Sequence, residues 1–76
     1  MDTELFCEQV QVERKSFSVE LRENPRGRFL KIIEDVGGRR DAIIIPATGL
    51  TQIRDILERA ISKSDEVPLS ESATAQ

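Results

Sequence analysis

Ser16-Phe17-Ser18-Val19-Glu20-Leu21-Arg22-Glu23-Asn24-Pro25-Arg26-Gly27-Arg28-Phe29-Leu30-Lys31-Ile32-Ile33 is the stretch that decides the fold. Phe17, Val19 and Leu21 alternate with Ser18, Glu20 and Arg22, the period of a strand with one apolar and one polar face. Asn24-Pro25-Arg26-Gly27 then supplies turn chemistry, because proline presets φ and glycine accepts positive φ. A second apolar-rich run, from Arg28 to about Val36, follows at once, so the two runs read as an antiparallel hairpin. Within that run Leu30 and Ile32 are the better core pair. Phe29, Lys31 and Ile33 then share the opposite, open face with Ser18, Glu20 and Arg22.

The same logic extends in both directions. Upstream, Phe6, Glu8, Val10 and Val12 alternate with Cys7, Gln9, Gln11 and Glu13, a half-buried strand interrupted at Arg14-Lys15. Downstream, Gly37-Gly38 breaks the pattern as a further hairpin turn, and Ile43-Ile44-Ile45 within Asp41 to Pro46 reads as a fourth strand that Pro46 ends. The period then changes. Leu50, Ile53, Ile56, Leu57, Ala60 and Ile61 recur at helical spacing and form one apolar stripe, with Thr48 as the expected N-cap. Residues 1–4 read as a flexible N terminus and residues 64–76 as a disordered acidic and polar tail. One folded unit over residues 5–63 is left. The expected fold class is α+β: a four-stranded antiparallel meander followed by one helix, ββββα, with the helix covering the face of Phe17, Val19 and Leu21.

A chain of 76 residues allows one domain, and a domain so small buries only about 60% of its unfolded surface. Such scaffolds add a metal, disulfides or a partner subunit. Cys7 is the only cysteine and there is no histidine, which removes disulfides, the commonest metal ligand and the commonest general base. A second subunit is the remaining option, and no metal or cofactor is expected. The single thiol and the acidic Met1-Asp2-Thr3-Glu4 start, unlike a signal peptide, point to a reducing, cytoplasmic compartment. No apolar run approaches the length of a membrane span.

Net charge is −3, yet all eleven basic residues lie between Arg14 and Lys63. From Arg14 to Arg40 eight bases (Arg14, Lys15, Arg22, Arg26, Arg28, Lys31, Arg39, Arg40) face only four acids. Local charge governs binding to polyanions. An aromatic ring, a lysine and an asparagine amide near a glycine turn suit a single strand: bases stack on Phe29, cations neutralise phosphates, and Asn24 meets a base edge. An ordinary solvated turn for Arg26 and Arg28, and a core or dimer-interface position for Phe29, are the competing readings.

At these residues the chain resembles the PUR family of purine-rich-element-binding proteins, in the single-repeat form found in bacteria. The resemblance runs from about residue 8 to 62. It is carried by Arg14-Lys15-Ser16-Phe17, by Glu20-Leu21-Arg22-Glu23-Asn24-Pro25-Arg26-Gly27-Arg28-Phe29-Leu30-Lys31-Ile32, and by Glu34-Asp35-Val36-Gly37-Gly38-Arg39-Arg40. It implies a PUR repeat, a curved four-stranded antiparallel sheet followed by a helix, of which two intertwine into one domain. A single repeat is then expected to form a homodimer, with the helix residues Leu50, Ile53, Ile56, Leu57 and Ile61 in its interface or in the core. The resemblance also implies binding of single-stranded DNA or RNA with a purine-rich preference, local unwinding of duplexes, and a role in transcription or translation control, with nucleoid association one outcome.

Family contacts carried over residue by residue fall on Arg22, where the family has lysine, on Asn24 and on Phe29, with Lys31 as a further basic contact. Arginine keeps the charge but changes the hydrogen-bond geometry. Arg14, Lys15, Arg26, Arg28, Arg39 and Arg40 would add electrostatic support. A homodimeric protein-interaction module that uses the open sheet face is the alternative function. Catalysis and a small-molecule substrate are not expected. Glu34 and Asp35 are neighbours on a strand and point to opposite faces, so they form no carboxylate dyad. Cys7 has no histidine to activate it and reads as a small half-buried hydrophobe. The tail reads as solubilising, with weak competition for the basic face as the alternative.

Overall fold

Three two-residue turns fold the chain into a meander. Glu13-Arg14 joins β1 (Thr3–Val12) to β2 (Lys15–Asn24), Pro25-Arg26 joins β2 to β3 (Gly27–Val36), and Gly37-Gly38 joins β3 to β4 (Arg39–Pro46). A 3-10 turn, Ala47–Gly49, leads into α1 (Leu50–Glu66). The computed structural model describes residues 2–68. All strand pairs are antiparallel in the order β1-β2-β3-β4, so the expected ββββα architecture is present. Gly37 and Gly38 both take positive φ, at 59° and 90°, which glycine does without steric cost. The β1–β2 loop sits at Glu13-Arg14, one residue earlier than the sequence places the break, and Glu13 takes φ 56° there.

Register sorts the sheet into two faces, because residues directly opposite one another share a face. Val10 pairs with Phe17, Val19 with Ile32 and Leu21 with Leu30; Ile32 and Leu30 in turn face Ile43 and Ile45. This is the apolar face, and it holds Leu30 and Ile32 together with Val19, Leu21, Ile43 and Ile45. Phe29, Lys31 and Ile33 take the other side.

Two departures follow from the last third of the chain. First, α1 does not cover the apolar face. Its substantial neighbour is the 3-10 turn, not the sheet. The described residues include none that is buried. Phe6, Val10, Val12 and Ile43 stay exposed on the sheet, as do Ile53, Ile56, Leu57 and Ile61 on the helix. The radius of gyration is 15.1 Å, against about 11 Å for a compact chain of this length. Pro46 and the 3-10 turn carry the helix away from the strands, and one copy has nothing to seat against either surface. Second, Thr48 is not the N-cap. It lies inside the 3-10 turn, and Gly49 takes the cap position without a side-chain hydrogen bond. The Leu50 N–H instead donates to the Ala47 carbonyl, so the turn itself satisfies one of the groups a capping hydroxyl would serve.

Element bounds also run wider than the sequence pattern. β1 begins at Thr3 and α1 reaches Glu66. Most of the segment read as a tail lies outside the described residues.

Candidate nucleic-acid interface

The open face is built in rows across the four strands. Glu4, Arg22, Phe29 and Pro46 form the row beside the Pro25-Arg26 turn. Cys7, Glu20, Lys31 and Ile44 form the next, followed by Gln9, Ser18, Ile33 and Ala42. A bulge between Glu4 and Phe6 decides the first row's composition. Without that extra residue Glu4 would share the apolar face of Phe6, since strand side chains alternate.

Arg22 is heavily paired. Its Nη1 lies 3.1 Å from Glu20 Oε1 and 3.4 Å from Glu4 Oε1, and its Nε lies 3.7 Å from Asp2 Oδ2. Asn24 is held at both ends of its amide. Its Oδ1 accepts from the Arg26 backbone N–H at 2.9 Å, an Asx turn that shapes the hairpin, and its Nδ2 donates to Asp2 Oδ1 at 3.3 Å. Lys31 and Arg26 make no ion pair among the described residues. Phe29 is half-buried, with Arg22 on one side and Pro46 on the other.

An open pocket of about 430 Å³ occupies this corner. Asp2, Asn24, Arg26, Gly27, Arg28, Phe29, Lys31, Ile44 and Pro46 line it. Apolar side chains (Phe29, Ile44, Pro46), three cations, one acid and the Asn24 amide are therefore contiguous in its lining. Cys7 is exposed on this face rather than half-buried. Its thiol and the Glu4 and Glu20 carboxylates lie within 4.8 Å of one another. Partial shielding from water, then the Glu4 and Glu20 charges, push the thiol pKa up, while Arg22 pulls the other way. A thiol disfavoured as thiolate is a poor nucleophile.

The structure brings Arg22, Asn24, Phe29, Lys31 and Arg26 together. Of the other basic residues predicted for the site, Arg28 lines the same pocket although its position has the parity of the apolar face, and the rest lie elsewhere. Lys15, Arg28 and Arg39 share the parity of the apolar face; Lys15 pairs with Glu34 at 2.9 Å and Arg28 with Glu23 at 2.7 Å. Arg14 occupies the exposed β1–β2 turn at the opposite end of the sheet. Arg40 is on the open face, three rows from Phe29, with its Nε 3.8 Å from Asp35 Oδ2. Sequence reading passed over Asp2, Glu4, Ile44 and Pro46. The alternation of Ile43-Ile44-Ile45 would have put Ile44 outward, whereas the β1 bulge left no signal in the residues.

The protein is an α+β unit of ββββα order whose open sheet face carries aromatic, basic and acidic side chains. Residues 2–74 match the family described as PurA ssDNA and RNA-binding protein, and the chain belongs to that family. It is 39% identical over 64 residues to a transcription factor, Pur-alpha 1, of Arabidopsis thaliana, covering 84% of this chain and 22% of that protein. It is 36% identical over 62 residues to the transcriptional activator plp-1 of Caenorhabditis elegans, covering 78% of this chain and 27% of that protein. The chain thus spans about a quarter of the length of these curated relatives. None of the helices among the described residues is long and apolar enough to cross a membrane.

Proposed function

We propose that the chain binds single-stranded DNA or RNA, with a purine-rich preference, on the open sheet face of a homodimer, and acts in gene regulation. The observation that carries the reading is the placement of Phe29, Lys31 and Asn24 around one open pocket, on the face opposite the apolar rows. Phe29 stacks on a base, Lys31 and Arg22 hold phosphates, and Asn24 Nδ2 is the amide donor for a base edge. Arg26 is the nearest supporting cation. Arg28 lines the same pocket, whereas Arg14, Lys15, Arg39 and Arg40 act at longer range, as part of the field that draws a polyanion in.

A second copy is supported by the two uncovered apolar surfaces. Burying a Val, Leu, Ile or Phe side chain contributes about 1.5–3 kcal/mol, and the exposed sheet and helix residues forgo that in one copy alone. Intertwining two chains would cover sheet and helix stripe together while leaving the Phe29 face free.

Binding should be titrated against salt with purine-rich and pyrimidine-rich single strands. Wild type should bind more weakly as salt rises, and Arg22→Ala/Lys31→Ala should flatten the log–log slope by about 1.4, as loss of two phosphate contacts requires. Absence of binding at low salt, or a slope unchanged by the double substitution, would overturn the assignment.

A further inference from the structure

We infer that Ile44 and Pro46 of β4 complete the base seat begun by Phe29, and that they set its length to that of a two-ring base. The inference rests on the single-strand reading above. Pro46 stands directly opposite Phe29, and Ile44 directly opposite Lys31. Adjacent strands lie about 4.7–4.9 Å apart, so the Phe29 ring and the Pro46 ring form a platform two strands wide. A fused two-ring base lying across the strands covers both side chains. A one-ring base covers one.

Ile44 is the odd member of the Ile43-Ile44-Ile45 run. Its neighbours in sequence take the apolar face, while Ile44 is 55% exposed beside the pocket. An isolated apolar side chain needs no explanation on a surface. This one does, because Phe29, Pro46 and Ile44 line a single pocket together. Charge then chooses the occupant. Arg26, Arg28 and Lys31 line the same pocket against one acid, Asp2. Lys31 and Arg26 make no ion pair among the described residues, and a nucleotide presents an apolar ring face and an anionic phosphate side by side.

The test compares wild type, Pro46→Ala, Ile44→Thr and Phe29→Ala on oligo(dA), oligo(dT) and an abasic deoxyribose-phosphate strand. Thermal melts establish that each variant folds, and Ile44→Thr keeps a β-branched residue where Pro46→Ala alters a strand end. The expected result is a loss of about three- to tenfold on oligo(dA) for either β4 variant, a smaller loss on oligo(dT) and no change on the abasic strand. Equal losses on abasic and base-bearing strands would overturn the inference. So would unchanged oligo(dA) affinity in both β4 variants when Phe29→Ala weakens it. Failure of wild type to bind any strand would instead remove the underlying function.

Discussion

Glu4 stands directly across from Arg22, and the Arg22 guanidinium is shared between that carboxylate and those of Asp2 and Glu20. One contact residue of the proposed interface is thus locally outnumbered by acids. Exposed ion pairs contribute little to stability, about 0–1 kcal/mol, so the arrangement matters more for binding than for folding. An incoming phosphate must displace or share these partners.

Removing that competition should therefore strengthen binding. Asp2→Asn/Glu4→Gln is expected to raise single-strand affinity about three- to thirtyfold at low salt, since each of the two neutralised charges contributes about 0.3–1 kcal/mol. The gain should shrink near 0.15 M, where the Debye length is about 8 Å. Fluorescence anisotropy of a labelled purine strand measures it, and an affinity that stays at the wild-type value would show that Arg22 is not limited by its acids.

The fold was legible because its signals are local. Period-two alternation at Phe17–Leu21, turn chemistry at Asn24–Gly27 and Gly37-Gly38, and helical spacing from Leu50 to Ile61 each belong to one segment. Parity alone placed Phe29 and Lys31 on the open face. Non-local facts were not legible. The bulge that turns Glu4 toward Arg22 depends on how β1 meets β2, and the position of the helix depends on what is available to cover it. Both are outcomes of pairing, and neither leaves a mark in residue order.

Glu13 holds a conformation that a glutamate adopts at a cost, with φ 56° in the β1–β2 turn. The left-handed region costs an ordinary residue about 1–2 kcal/mol. Glu13→Gly should raise unfolding free energy by about 1 kcal/mol in urea titrations. A loss of stability would mean that the Glu13 side chain contributes more than its backbone costs.

Assembly should be visible as concentration dependence. A partner that binds only the folded state raises apparent stability as its concentration rises. The midpoint of thermal unfolding is expected to climb with protein concentration, and Ile56→Glu or Ile43→Glu should lower it and halve the mass seen by sedimentation. A wild-type midpoint independent of concentration, together with a monomer mass, would contradict the homodimer.

Cys7 should be a sluggish thiol. Its raised pKa leaves less thiolate at neutral pH than a free cysteine has. Alkylation by iodoacetamide is expected to run slower than for an unstructured cysteine peptide, and to accelerate in Glu4→Gln. Equal rates would show that the neighbouring carboxylates do not govern it.

The central claim concerns Phe29, and affinity of Phe29→Ala for a purine-rich single strand across a salt series tests it most directly. Loss of a stacked base predicts a loss of about 1–3 kcal/mol that persists at high salt, because stacking is not screened, with the salt slope unchanged. Wild-type affinity in Phe29→Ala at every salt concentration would contradict a base-stacking role for this face.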